Sequence, residues 1–200
     1  MSASRSLTAG ERRLANTVFG SSLNYSRIRI HDHRYVFFQP ANSAMTPNGQ
    51  IYMSRGAYAP DYSQLTQGSK GFLVHELAHV WQYQLRVLNP VWAAIGETFA
   101  HRFNYRNAYA YTLRADRDLL EYDIEQQAAI LEDYYYVFVC GAAPGSGHLQ
   151  NPGTQAQNRQ RLQAVLQRFM DNPAYPALRG PSVRPTSRTR LISRLQGWPL

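Results

Sequence analysis

The five residues His75-Glu76-Leu77-Ala78-His79 constrain this chain more than any other segment. On a helix, residues four apart share a face, so the two imidazoles stand one above the other. Two such nitrogens can grip one zinc ion, and the glutamate between them points where a water beside that ion would sit. The segment predicts a helix with a metal-binding face. With it comes the expectation of a zinc-dependent hydrolase, most simply a peptidase.

The flanking residues support a helix. From Gly71 to Leu85, Leu73, Val74, Leu77, Ala78, Trp81 and Leu85 form one broad apolar face, and His75, Glu76, His79, Gln82 and Tyr83 fall on the other. Ser69 is placed to cap the start, and Asn89-Pro90 lies past the end. The expected arrangement is a helix seated on a core by one side and open on the other. The bland alternative is a surface helix with two solvated histidines.

A catalytic zinc site wants three protein ligands and one open position. The pattern H-E-x-x-H-x-x-G-x-x-H would supply a third histidine, but position 82 is Gln and position 85 is Leu. A carboxylate on another helix is the remaining choice. The stretch from Leu113 to Val139 reads as one long helix, with Leu113, Leu120, Ile124 and Leu131 as its apolar stripe. Asp118, Glu121, Glu125 and Glu132 lie beside that stripe. Glu125 is the preferred ligand, because Ala128 on nearly the same face would let the two helices approach closely. Glu121 is the alternative, one turn earlier, and Asp123 the third choice. Acidic residues on a helix are ordinarily a solvated face, which is the competing reading of each taken alone.

The run H-E-L-A-H-V-W-Q (His75 to Gln82), followed about 45 residues on by Ile-Glu-Gln-Gln-Ala (Ile124 to Ala128), resembles the small metallopeptidase domains associated with bacterial type VI secretion. These are the domains fused to the C-terminus of VgrG spike proteins, and the stand-alone Vgr-related proteins. The blocks Leu7 to Arg13, Val18 to Gly20 and Asn48 to Tyr52 are similar too, and the resemblance covers roughly residues 5 to 140. It implies a zincin-like, gluzincin-type fold with one zinc on His75, His79 and Glu125, and Glu76 as catalytic base. Glu121 aligns as the alternative ligand. The partners it implies are a protein or peptide substrate, a VgrG spike and a cognate immunity protein.

Bulk properties agree with a compact enzyme. The chain has 200 residues, 44% of them apolar, which suits one core. No run is long enough to span a membrane, and the N-terminus lacks the apolar segment of a signal peptide. Synthesis in the bacterial cytoplasm is expected, with type VI export to the periplasm of a target cell. The lone Cys140 follows Val137-Phe138-Val139 and reads as a small buried residue. The formal charge of +8 comes almost wholly from arginine. Arg179, Arg184, Arg188, Arg190 and Arg194 fall in a stretch with no acid, so residues 173–200 read as a basic tail after a single domain over 1–172. Nucleic acid is the weaker partner for that tail.

The remaining segments give an α+β, mostly helical class with a small N-terminal antiparallel sheet beside the motif helix. Thr8 and Glu11 make a capping box for a helix that Gly20 ends. Residues 27–30, 35–39 and 50–54 read as strands, with Thr46-Pro47-Asn48-Gly49 a turn between them. The resemblance implies that Ile51-Tyr52-Met53 is the edge strand that borders the cleft and pairs with an extended substrate. Residues 91–112 read as helical and 141–153 as a loop. Thr154 caps a last helix with Leu162, Val165, Leu166 and Phe169 facing the core and Asn172-Pro173 ending it. In the expected chemistry Glu76 takes a proton from water and passes it to the leaving amine. Tyr134, Tyr135, Tyr136 and His148 are candidates to steady the oxyanion. Asp133 and Asp118 are candidates to orient a ligand histidine. His31, His33 and His101 have no ligand spacing to the motif. The competing readings are a peptidoglycan endopeptidase, a non-catalytic zinc-stabilised adaptor of a secretion spike, and a protease carried to DNA by its tail.

Overall fold

The computed structural model describes residues 4–87 and 109–178. Four strands and four α-helices lie among them: β1 (Ser4–Ser6), α1 (Ala9–Phe19), β2 (Arg29–His31), β3 (Ala44–Met45), β4 (Ile51–Met53), α2 (Gln67–Gln84), α3 (Ile124–Tyr134) and α4 (Gln155–Asp171). The class is α+β. The sheet is mixed rather than antiparallel, in the order β1-β2-β4-β3. β1 and β2 run antiparallel, β2 and β4 parallel, and β4 and β3 antiparallel. Ile51–Met53 is therefore an inner strand. The edge on the motif side of the sheet is β3, joined to β4 through the expected turn, where Gly49 takes φ 75°.

Local signals set the helix ends. Thr8 Oγ1 accepts from Glu11 N–H at 3.1 Å, and Glu11 accepts from Thr8 N–H at 2.8 Å. That glutamate is wholly buried. It also accepts two bonds from Arg5 at 2.7 and 2.8 Å and one from Tyr62 N–H at 2.9 Å. One carboxylate thus caps α1 and pins β1 to the domain. Thr154 caps α4 as expected, and Leu162, Val165, Leu166 and Phe169 are buried. Phe169 meets the edges of Phe19 and Trp81, at 6.2 and 5.5 Å between centroids, and closes the core.

Several expectations are corrected. The cap of α2 is Thr66, whose hydroxyl accepts from Ser69 N–H at 3.2 Å. Nor is α2 open on one side: His75, Glu76 and Gln82 are buried along with the apolar residues, because α1, α3 and β4 pack around the helix. The stretch 113–139 is not one helix. Asp118 and Glu121 form a capping box on a 3-10 turn (Leu119–Glu121), and α3 starts only after Asp123. Past Tyr134 the chain widens into a π turn, Tyr135–Val139, and Cys140 is exposed rather than buried. Residues 35–39 form no strand. The buried Gln39 side chain gathers that loop instead, donating to the carbonyls of Ser43 (3.2 Å) and Tyr52 (3.0 Å). The expected helix over 91–112 falls largely outside the described residues, as do His101 and residues 179–200. Residues 173–176 pack against the domain: Tyr175 is buried, and Trp81 Nε1–H donates to the Pro173 carbonyl at 2.7 Å.

Candidate metal centre

The site forms where α2 crosses α3. His75 and His79 project from α2 one turn apart, their rings 5.0 Å between centroids. Glu125 enters from the first turn of α3. Its Oε2 lies 3.4 Å from Nε2 of His75 and 3.2 Å from Nε2 of His79. Ala128 and Ala129, both fully buried, keep the α3 surface thin at this crossing. Among the described residues these three are the group of metal-ligating side chains whose ligand atoms all fall within 4.8 Å of one another.

The residues fit a metal ion on their own chemistry. Glu125 Oε2 is buried and has no hydrogen-bond partner. Only the two Nε2 atoms approach it, so a cation between the three would meet a carboxylate oxygen that makes no other bond. Ligands on a tetrahedral zinc ion, each about 2.0–2.1 Å from the metal, stand roughly 3.3 Å apart. Both oxygen-to-nitrogen separations match that edge. Two imidazoles and a carboxylate are also a donor set suited to zinc.

The outer nitrogen of each imidazole is held. His75 Nδ1 faces Glu132 Oε2 at 3.4 Å, and His79 Nδ1 lies 2.8 Å from Gln82 Oε1. Burial alone would lower the His75 imidazole, but Glu125 and Glu132 outweigh it and push it up to about 10 in the metal-free protein. His79 is likewise raised, against burial, by the charge of Glu125. Burial would raise Glu125, yet the two imidazolium charges hold it well below the usual carboxylate range.

Glu76 is buried beside the pair, and Thr46 Oγ1–H donates to its Oε2 at 2.6 Å. Thr46 directly follows β3, so the sheet edge and the glutamate are tied together. On another side Tyr109 sits 5.7 Å from the His75 ring, with His148 stacked on Tyr109 at 5.1 Å.

The structure therefore brings His75, Glu76, His79 and Glu125 to one place. The alternatives lie elsewhere. Glu121 accepts from Asp118 N–H at 2.7 Å, and Asp123 caps α3. Asp118 caps the 3-10 turn and accepts from Tyr175 at 3.0 Å, so it does not orient a ligand histidine. Asp133 also has another task. Its carboxylate holds Gly145 N–H (2.7 Å), Ser146 N–H (2.8 Å) and the Tyr111 hydroxyl, fixing the loop that carries His148. Tyr134 stacks on Phe138, Tyr135 is buried in the core, and Tyr136 packs against Gly71 and Gly145. Of the four oxyanion candidates, only His148 is linked to the centre through a ring contact. Sequence reasoning missed Thr46 and the tasks of Glu132 and Gln82. Glu132 was within reach, since it lies seven residues, two helical turns, after Glu125.

An α+β domain with two histidines and one glutamate converging on α2 and α3 defines a candidate three-ligand metal protein. Residues 6–86 match the family model of the eCIS core domain. Over 136 residues, 66% of this chain, the sequence is 39% identical to the type VI secretion system spike protein VgrG2b of Pseudomonas aeruginosa. The chain spans 13% of that relative's length. The solved effector domain of Pseudomonas aeruginosa VgrG2b is similar with a TM-score of 0.65 and 32% identity, covering 82% of this chain and 84% of that one. The chain belongs to the VgrG-related family of type VI secretion that includes this effector domain.

Proposed function

We propose that this domain is a zinc metallopeptidase that acts as a type VI secretion effector. The observation that carries the reading is the convergence of one buried Glu125 oxygen, 3.4 and 3.2 Å away, on the two Nε2 atoms of the H-E-x-x-H helix. His75, His79 and Glu125 would hold the ion. Zinc there supplies Lewis acidity, polarising a scissile carbonyl and making water acidic enough to attack it near neutral pH.

The chain's own groups do the rest. Thr46 fixes one oxygen of Glu76, which leaves the other to take the proton of the attacking water and pass it to the leaving amine. His148, beside Tyr109, is the side chain we assign to steady the oxyanion. The edge strand β3, which runs into Thr46, would pair with the backbone of an extended substrate, the task first expected of Ile51–Met53. Membership of a family that includes a spike-fused effector domain supports export on a VgrG spike, with a cognate immunity protein in the producing cell.

Metal analysis tests the reading. Wild type should hold one zinc per chain, and His75→Ala and Glu125→Ala should hold none. Glu76→Ala should keep zinc and lose cleavage of target protein and toxicity. Zinc kept in Glu125→Ala but lost in Glu121→Ala would move the ligand. Unchanged toxicity in a zinc-loaded Glu76→Ala protein would instead favour the spike adaptor. Cleavage of purified peptidoglycan, with proteins left intact, would shift the substrate.

A further inference from the structure

Behind His79 lies a chain of side-chain amides that the proposed chemistry does not use. Gln82 Oε1 is 2.8 Å from His79 Nδ1. Gln82 Nε2–H donates to the Ile124 carbonyl (2.9 Å) and to Gln127 Oε1 (3.1 Å). Gln127 Nε2–H donates to the Tyr122 carbonyl at 2.7 Å. Gln82 is 0% and Gln127 3% exposed, so bulk water offers neither a substitute partner.

The direction of every bond in this chain is forced from its far end. A backbone carbonyl only accepts, so Gln127 must turn its nitrogen to Tyr122 and its oxygen to Gln82. Gln82 must turn its nitrogen to Ile124 and to that oxygen. Its own oxygen is left facing His79, where it can only accept. Nδ1 of His79 must therefore carry a proton, and Nε2 presents its lone pair on the side of Glu125 when the ring is neutral. Rotating either amide would set donor against donor and acceptor against acceptor in a dry interior. The relay also grips the backbone at Tyr122 and Ile124, on either side of the N-cap of α3. The elements that carry His79 and Glu125 are thus set by the same two side chains.

We propose that Gln82 and Gln127 are positioning residues that fix the His79 tautomer and the placement of Glu125, and so set the zinc affinity of the site. The inference rests on the metal-centre reading above, but it concerns two residues that are not themselves among the ligands. A purely structural amide pair would lower stability and leave the zinc affinity of the folded protein unchanged. A positioning pair changes affinity.

The test is zinc affinity of the full chain by chelator competition, with melting temperature of the metal-free protein measured alongside. Gln82→Leu and Gln127→Leu are expected to lose about 10–100-fold in zinc affinity while remaining folded. Gln82→Glu keeps an acceptor for Nδ1–H but loses the donor to Ile124. It should lower the metal-free melting temperature and yet retain more zinc affinity than Gln82→Leu. Should Gln127→Leu fail to fold, Gln127→Met carries the same expectation. In zinc-loaded wild type, long-range proton–nitrogen NMR should show His79 protonated at Nδ1 and metal-bound at Nε2. Leucine variants that bind zinc as wild type does, or a His79 bound through Nδ1, overturn the relay. A wild type that binds no zinc overturns the metal-centre reading itself.

Discussion

Glu125 illustrates how a single oxygen can define a site. In the metal-free protein its charge and those of His75 and His79 support one another inside the domain. The pH consequence follows from the shifts. His75 is raised from 6.5 to about 10, so its contribution to stability is complete below pH 6.5 and fades as pH rises towards 10. Glu125 is lowered from 4.5, so its contribution is complete above 4.5 and fades in acid. Chelator-treated protein should melt highest between these limits, and the fall from pH 6.5 to 10 should shrink in His75→Gln. Thermal unfolding across pH checks this, and an equal fall in both proteins would count against the triad. Zinc bound at this site would also displace the proton from the His75 imidazole at pH 7. Calorimetric binding enthalpies should therefore scale with the ionisation enthalpy of the buffer, with a slope of at least one proton.

At the scale of elements, a few buried contacts hold the frame. Glu11 accepts four hydrogen bonds from three segments, so Glu11→Ala leaves the half-buried Arg5 guanidinium without its charge partner and the Thr8 and Tyr62 N–H groups without their acceptor. Loss of such a pair costs about 3–5 kcal/mol, which urea unfolding would read directly. The π turn after α3 swings Tyr136 against α2 at Gly71, where an added Cβ would overlap the tyrosine hydroxyl. Gly71→Ala should destabilise the fold by about 1–3 kcal/mol, because the ring is also boxed in by Gly145. These contacts explain where sequence reading succeeded. The Thr8 and Thr154 caps, the turn at 46–49 and the core stripe of α4 depend on neighbours within four residues. The long helix over 113–139 failed because two capping boxes, at Asp118 and Asp123, lie inside one apolar stripe. The π turn had no local signal.

At the scale of the whole molecule, zinc would act as a clamp between α2 and α3, the two helices that share the interior. Its removal should lower the melting temperature, and its return should restore it. At a free metal concentration 1,000 times the dissociation constant, the gain is about 4 kcal/mol. Differential scanning calorimetry with and without chelator would measure it, and Glu125→Ala should show no such difference. Among the described residues no helix is long and apolar enough to cross a membrane. The formal charge of +8 is unevenly spread, since five arginines and no acid lie between 179 and 194.

His75, Glu76 and His79 were legible because their spacing and the 3.6-residue period alone put them on one helical face. Glu125 could be chosen but not separated from Glu121, since the two lie one turn apart in sequence. Only packing separated them, tying Glu121 into a cap and driving Glu125 beneath both imidazoles. The link from Thr46 to Glu76, the strand order that leaves β3 at the edge, and the Gln82–Gln127 relay all depend on joins between residues 21 or more positions apart. Periodicity carries no information over that range. It fixes which face a residue takes on its own element, whereas the close approach of two elements fixes which face it meets.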